Sequence, residues 1–342
     1  MKVMLIHQIG PVDENSEPLL AAEMPIPEPG PGEILLKVQA CGICHTELDE
    51  IEGRTPPPRL PVIPGHQVVG EVVGLGLGAT RFQEGRRVGV AWIYSACGKC
   101  PRCLAGRENL CIHFRATGRD ANGGYAEYMA APEEFVYPIP DIFSAVEAAP
   151  LLCAGAVGYR SLRLSQIGDG QALGLTGFGA SGHLVLQTVR YRFPNTRVYV
   201  FARSMAEQEF ALQLGAAWAG DTLDEPPELL DAVIDTTPAW LPVVEGLRRL
   251  APGGRLVINA IRKESRDQAA LLKLDYPAQL WMEKEIKSVA NVTRQDVCEF
   301  LALAAKIPLR PEVQEYPLLR ANQALVDLKT RQIHGAKVIR MT

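Results

Sequence analysis

"QALGLTGFGASGHLVLQTVRYRFPNTRVYVFAR" (residues 171–203) decides how this chain folds. The apolar run "QALGLTGFG" reads as a strand, "ASGHLVLQTVRYRF" as a helix, and "TRVYVFAR" as a second strand. Between the first strand and the helix, Gly177, Gly179 and Gly182 form a G-x-G-x-x-G loop. Glycines there permit a tight turn and let a pyrophosphate approach the unpaired N–H groups at the helix N-terminus. A glycine-rich turn alone means little; a strand before it, a helix after it and a further strand beyond give it weight.

The same alternation runs outward from this stretch. "SMAEQEFALQLGA" reads as a helix, "LDAVIDTT" as a strand, "AWLPVVEGLRRL" as a helix and "GGRLVINAI" as a strand. Strands alternating with helices predict a parallel, doubly wound sheet. The first 150 residues have another texture. Short β-like runs, "EILLKVQA", "HQVVGEVVGLG", "RRVGVAWI" and "GGYAEYMAAP", are punctuated by Pro and Gly and predict a compact, barrel-like β domain. After about residue 290 the helix "RQDVCEFLALAAK" and a terminal strand "HGAKVIRMT" break the rhythm and are expected to return to the first domain. The expected division is 1–153 with 291–342, and 154–290.

The 342 residues carry a net charge of −4, so no basic field invites nucleic acid or anionic lipid. No run approaches the roughly 20 apolar residues that span a bilayer. The N-terminal "MKVMLIHQIG" is interrupted at Gly10-Pro11, too early for a secretory apolar region, and reads as a first strand. A cytoplasmic protein is therefore expected, with reduced thiols, in which clustered cysteines bind metal more often than they form disulfides.

Four of the eight cysteines, Cys97, Cys100, Cys103 and Cys111, are spaced C-x2-C-x2-C-x7-C. Four thiolates at tetrahedral geometry suit zinc and close its coordination shell, so this site is expected to be structural. An iron–sulfur cluster takes the same ligand type and is the alternative.

"GICHTEL", "PGH" before a Gly-rich strand, the four-cysteine loop, "LLCAG" and the glycine fingerprint occur in one order over nearly the whole chain. In this the sequence resembles the zinc-dependent alcohol dehydrogenases of the medium-chain dehydrogenase/reductase superfamily. The resemblance implies an α/β fold with a GroES-like β-barrel catalytic domain and a doubly wound (Rossmann) cofactor domain, with the active site in the cleft between them. It implies a second, catalytic zinc on Cys44, His66 and Cys153, with a fourth position open to substrate. Such a zinc polarises a carbonyl or lowers the pKa of an alcohol. Thr46 matches the hydroxyl that accepts the alcohol proton and Asp49 the end of that relay. His45 matches a residue that contacts the pyrophosphate, and Trp92 a bulky wall of the substrate pocket suited to small or slender alcohols. Cys41 and Cys298 read as ordinary buried thiols. A dimer or, more in keeping with a chain this compact, a tetramer is implied.

Three positions depart from the family pattern. Gln67 stands where a Glu usually follows the histidine ligand, Glu47 where Asp is common, and Asp49 where a histidine usually ends the relay. Lys337 stands near an arginine position that pairs with the missing Glu, which suggests that the changes at Gln67 and Lys337 are linked.

The dinucleotide is expected on Gly177, Gly179, Ala180, Ser181 and Gly182. An acid at the end of the following strand would hold the 2′-hydroxyl of NAD. Ala202 occupies that position, followed by Arg203 and Ser204, which can bind a 2′-phosphate. NADP(H) is thus expected over NAD(H). The reaction implied is hydride transfer between a primary or secondary alcohol and NAD(P)+. A related reductase of larger aldehydes or activated double bonds, and a zinc-stabilised protein without catalysis, are the competing readings. Three retained ligands argue against the first, and Thr46 with an intact glycine loop against the second.

Overall fold

The computed structural model describes residues 1–307, 309–330 and 335–341. The chain divides into two compact units, one of Met1–Cys153 with Val292–Thr342 and the other of Ala154–Asn291. In chain order the first unit contains β1 (Lys2–Ile6), β2 (Leu19–Glu23), β3 (Glu33–Ile43), α1 (His45–Ile51), β4 (Val68–Leu75), β5 (Arg87–Val90), β6 (Ile93–Ser95), α2 (Pro101–Leu104), β7 (Arg115–Ala116), β8 (Tyr128–Pro132), β9 (Val136–Pro138) and α3 (Ala145–Pro150). The second contains α4 (Ala156–Ser165), β10 (Ala172–Thr176), α5 (Ala180–Arg192), β11 (Arg197–Phe201), α6 (Met205–Gln213), β12 (Trp218–Gly220), β13 (Leu230–Asp235), α7 (Leu241–Arg248), β14 (Leu250–Ile258), α8 (Tyr276–Gln279) and β15 (Glu285–Ser288). The chain then returns to the first unit with α9 (Arg294–Lys306), β16 (Val313–Pro317), α10 (Ala321–Lys329) and β17 (Ala336–Arg340). His334 and Thr342, the ends of the segment read as the terminal strand, lie outside the described residues.

In the first unit the sheet order is β16-β17-β3-β4-β5-β9, with β8 also paired to β3. The eleven residues of β3 serve two partners on one side: Glu33–Lys37 pair with β8, and Ala40–Ile43 with β17. Its burial alternates at first and then becomes continuous from Ala40, and α3 packs on the strand. Leu36, Val38, Val68, Val72, Val88 and Val90 meet Leu48 and Ile51 of α1 and Leu325 of α10 in one core. That core holds α1 against the sheet, and α1 carries the chemistry described below.

The second unit is a parallel sheet of order β12-β11-β10-β13-β14-β15. Every residue of β10 is buried, and alternate strand residues feed two cores. Leu173, Leu175, Val198, Val200 and Ile234 pack under α4 and α5, while Tyr199, Phe201, Leu230, Val233 and Leu256 pack under α7. Helices cover both faces, the doubly wound arrangement. At Gly177 the backbone takes φ +80°, and an added Cβ would lie 2.7 Å from Thr236 Oγ1; at Gly182 it would lie 2.7 Å from the Gly177 carbonyl. Both positions therefore require glycine.

Candidate active site and metal centres

Cys44 is the N-cap of α1, in extended conformation, and its Sγ accepts a hydrogen bond from Thr46 N–H at 3.4 Å. Glu47 closes the capping box: its Oε2 accepts from the Cys44 backbone N–H at 2.8 Å. Its other oxygen lies 2.6 Å from His66 Nδ1, with both side chains buried to within 1 % of their surface. One carboxylate thus starts the helix that presents Cys44 and orients the ring that faces it. A proton on Nδ1 toward Glu47 leaves the Nε2 lone pair exposed. That nitrogen lies 3.5 Å from Cys44 Sγ and 3.4 Å from the Sγ of Cys153, which comes from the π-helical turn Leu151–Gly155.

The three donor atoms lie within 4.8 Å of one another. For Zn–S of about 2.3 Å and Zn–N of about 2.0–2.1 Å, tetrahedral edges between nitrogen and sulfur are about 3.5 Å. Two thiolates and one imidazole at these separations fit zinc with one position left over. The surroundings have the same logic. A hydrogen bond from Cys153, reinforced by burial and by Glu47, pushes the Cys44 thiol well up. Burial opposes a charge on His66, but the carboxylate of Glu47 and the Cys44 sulfur outweigh it and raise its pKa well above normal. Negative charge crowds this cluster, which favours a cation among the donors.

Sequence reasoning passed over Glu50. It is buried, one turn beyond Glu47, and among the described residues neither carboxylate oxygen has a hydrogen-bond partner. Burial, and the charge of Glu47, push its pKa well up. Its only sequence signal is an i, i+3 spacing from Glu47 on one helix face. Asp49 is also buried and its Oδ1 accepts from Arg54 Nε at 2.6 Å; Thr46 is buried beside Cys44, and His45 is exposed. Trp92 packs in a small separate core with Ile93, Ala116 and Phe135, its ring 5.0 Å from that of Phe114.

Two expectations are corrected. Lys337 is buried, but its ammonium donates to Gln314 Oε1 at 2.8 Å and Tyr316 Oη at 3.0 Å, not to Gln67. The side chain of Gln67 lies over Gly42, where an added Cβ would come within 2.5 Å of its Oε1. Lys337 therefore has its own partners on β16 rather than Gln67. Cys298 is exposed, because α9 buries Asp296, Val297, Phe300, Leu301 and Ala304 and position 298 falls off that stripe; Cys41 is buried.

Cys97, Cys100, Cys103 and Cys111 also converge, their Sγ atoms all within 4.8 Å of one another. Gly98 and Gly106, at φ +69° and +65°, make the turns, and Cys100 caps the short α2. The backbone N–H groups of Lys99 and Cys100 lower the Cys97 thiol to about 6, whereas burial and hydrogen bonds to Cys100 and Cys111 push Cys103 up to about 12. A cation that displaces the shared protons satisfies all four sulfurs at once. The segment is anchored by Glu108, whose Oε1 accepts from the backbone N–H of Arg294 at 2.7 Å and from its Nε at 3.2 Å.

In the second unit, Gly179 is the N-cap of α5, and an added Cβ there would meet nothing within 4 Å. Ala180 begins α5, and the Ser181 hydroxyl donates to the Ala154 carbonyl at 3.0 Å. At the end of β11, Ala202 is buried while Arg203 and Ser204 are exposed, and Ser204 caps α6 without a side-chain hydrogen bond. An exposed cation and hydroxyl thus follow directly on the buried end of β11.

Known proteins resemble this chain over nearly its whole length. Residues 30–141 match the alcohol dehydrogenase GroES-like domain. The chain is 41% identical to a probable alcohol dehydrogenase, AdhA, of Mycobacterium tuberculosis (strain CDC 1551 / Oshkosh), over 99% of this chain and 97% of the relative. It is 34% identical to an alcohol dehydrogenase of Geobacillus stearothermophilus, over 96% and 98%. Among solved structures, a putative zinc-binding dehydrogenase from Sinorhizobium meliloti 1021 bound to NADP superimposes with a TM-score of 0.86 at 25% identity, covering 99% of this chain and 98% of that one. The chain belongs to the zinc-type alcohol dehydrogenases of the medium-chain dehydrogenase/reductase superfamily and is an NAD(P)-linked oxidoreductase of alcohols and aldehydes.

Proposed function

We propose that this enzyme interconverts small primary or secondary alcohols with the corresponding aldehydes or ketones, binds two zinc ions per chain and prefers NADP(H) to NAD(H). The observation that carries this reading is the convergence of Cys44, His66 and Cys153 from three distant segments, with His66 held by Glu47. When bound, zinc supplies Lewis acidity at the substrate oxygen and the nicotinamide supplies the hydride acceptor or donor.

The protein's own groups divide the remaining tasks. Glu47 fixes the ring and tautomer of His66. Thr46, with its backbone N–H committed to Cys44 Sγ, offers its Oγ1 to the substrate proton. Asp49 is the acidic end of that path, and Arg54, which holds it, reaches solvent. The four cysteines 97, 100, 103 and 111 hold the second zinc for stability. Gly177, Gly179, Ala180, Ser181 and Gly182 bind the pyrophosphate, and Arg203 with Ser204 receives a 2′-phosphate. Trp92, packed among apolar neighbours, is assigned to the substrate pocket by the family resemblance.

We further propose a cytoplasmic homo-oligomer, a tetramer or a dimer. Six of the eight cysteines fall in the two metal-ligand clusters, a use that suits reduced thiols. The test is reduction of a series of simple aldehydes and ketones with NADPH and NADH, with zinc content measured on the same preparation. Turnover that is lost on zinc removal and recovered on its return supports the reading; turnover indifferent to zinc refutes it.

A further inference from the structure

Two loops at the carboxyl ends of β13 and β14 are tied together by a buried ion pair. The Lys263 ammonium donates to Asp235 Oδ2, to the carbonyl of Thr237 at 2.8 Å and to that of Ala239 at 2.9 Å, so all three of its protons are used. Its side chain is 7 % exposed and that of Asp235 fully buried. Around this pair, Glu264 N–H donates to the Pro238 carbonyl at 2.7 Å, and the N–H groups of Trp240 and Leu241 donate to Asp267 Oδ2 at 2.9 and 2.8 Å.

The pair also reaches the glycine loop. Asp235 Oδ1 accepts from the hydroxyl of Thr176, the last residue of β10, at 2.6 Å, and from that of Thr237 at 2.8 Å. Thr236 and Thr237 sit so close to Gly177 that an added Cβ would lie 2.7 and 3.0 Å from them. A buried ion pair adds little net stability over apolar residues of similar size, and in some proteins such pairs fix one arrangement instead. In an open parallel sheet a dinucleotide lies across the carboxyl ends at the point where strand order reverses, here between β10 and β13. On that rule the adenosine end would fall over β11, where Arg203 and Ser204 stand. The other end would fall over β13 and β14, where Lys263 joins the loops.

We propose that Lys263 and Asp235 are positioning residues that shape the wall receiving the nicotinamide half of the dinucleotide. The proposal rests on reading the glycine loop as a dinucleotide site. The experiment is calorimetric titration of the intact enzyme and of the Asp235→Asn/Lys263→Met double variant, which leaves no lone buried charge. The probes are AMP and adenosine 2′,5′-bisphosphate for the adenosine half, and NADH and NADPH for the whole. The expected result is dinucleotide binding weakened about tenfold or more, roughly 1.4 kcal/mol, with fragment binding unchanged. Equal weakening of fragment and dinucleotide, or no change in either, overturns the proposal. If the unaltered enzyme binds neither fragment nor dinucleotide, the reading of the glycine loop fails and the proposal fails with it. Lys263→Arg, which keeps the charge, should recover part of the dinucleotide affinity; no recovery in a folded Arg variant contradicts an ion pair that positions the loops.

Discussion

Glu47 Oε1 lies 2.6 Å from His66 Nδ1, while its other oxygen takes the backbone N–H of Cys44 at 2.8 Å. A single side chain thereby sets the relative placement of two of the three donors. Glu47→Gln keeps the shape and loses the charge. Zinc affinity at the three-donor site is expected to fall about 10–100-fold. Competition with a graded chelator measures this, and retention of both zincs with unaltered affinity would show that the carboxylate does not tune the site.

Removing one sulfur from the four-cysteine loop should cost folding rather than chemistry. Cys100→Ser is expected to lower stability by about 3 kcal/mol, or roughly 6–12 °C in Tm for a unit of this size. Differential scanning calorimetry reads the shift; an unmoved Tm would mean that this loop holds no structural ion.

The proposed function places cofactor choice at the end of β11. A charge-assisted contact from Arg203 to a 2′-phosphate is worth about 1.5–3 kcal/mol, so Arg203→Ala should raise KM for NADPH about ten- to a hundredfold. KM for NADH should stay nearly constant. Parallel changes in both would mean that Arg203 does not touch the cofactor.

Glu50 gives a pH dependence with a definite sign. Burial raises its pKa in the folded state well above the usual 4.5. The folded protein therefore binds this proton more readily than the unfolded chain, and the associated stability is lost as pH rises above about 4.5 toward the raised value. Glu50→Gln, which mimics the protonated form, should be more stable than the parent, by an amount that grows as pH rises above about 4.5. Thermal melts across that range test it, and identical pH profiles would show that Glu50 is compensated in the fold.

What the sequence made legible follows the range of the interactions. The glycine loop and its flanking strand and helix are local, and so is the C-x2-C-x2-C spacing, because turns bring such residues together without help from the rest of the fold. Cys44, His66 and Cys153 come from segments 22 and 87 residues apart, and only resemblance to a family joined them. The burial of Glu50 depends on which face of α1 meets the sheet, and the pairing of Lys263 with Asp235 on two loops that meet only once β13 and β14 lie side by side. The same reasoning explains the errors. Cys298 looked apolar by residue type, but helix phase turned it outward. Lys337 looked like a partner for Gln67, but the register of β16 beside β17 set Gln314 and Tyr316 against it.

The central claim is a three-donor zinc centre distinct from the four-cysteine one. Elemental analysis of the unaltered enzyme and of Cys153→Ser tests it most directly. Two zincs per chain are expected in the first and one in the second, with the Tm of the variant close to that of the parent. Two zincs retained in Cys153→Ser, or one in both proteins, would contradict the account.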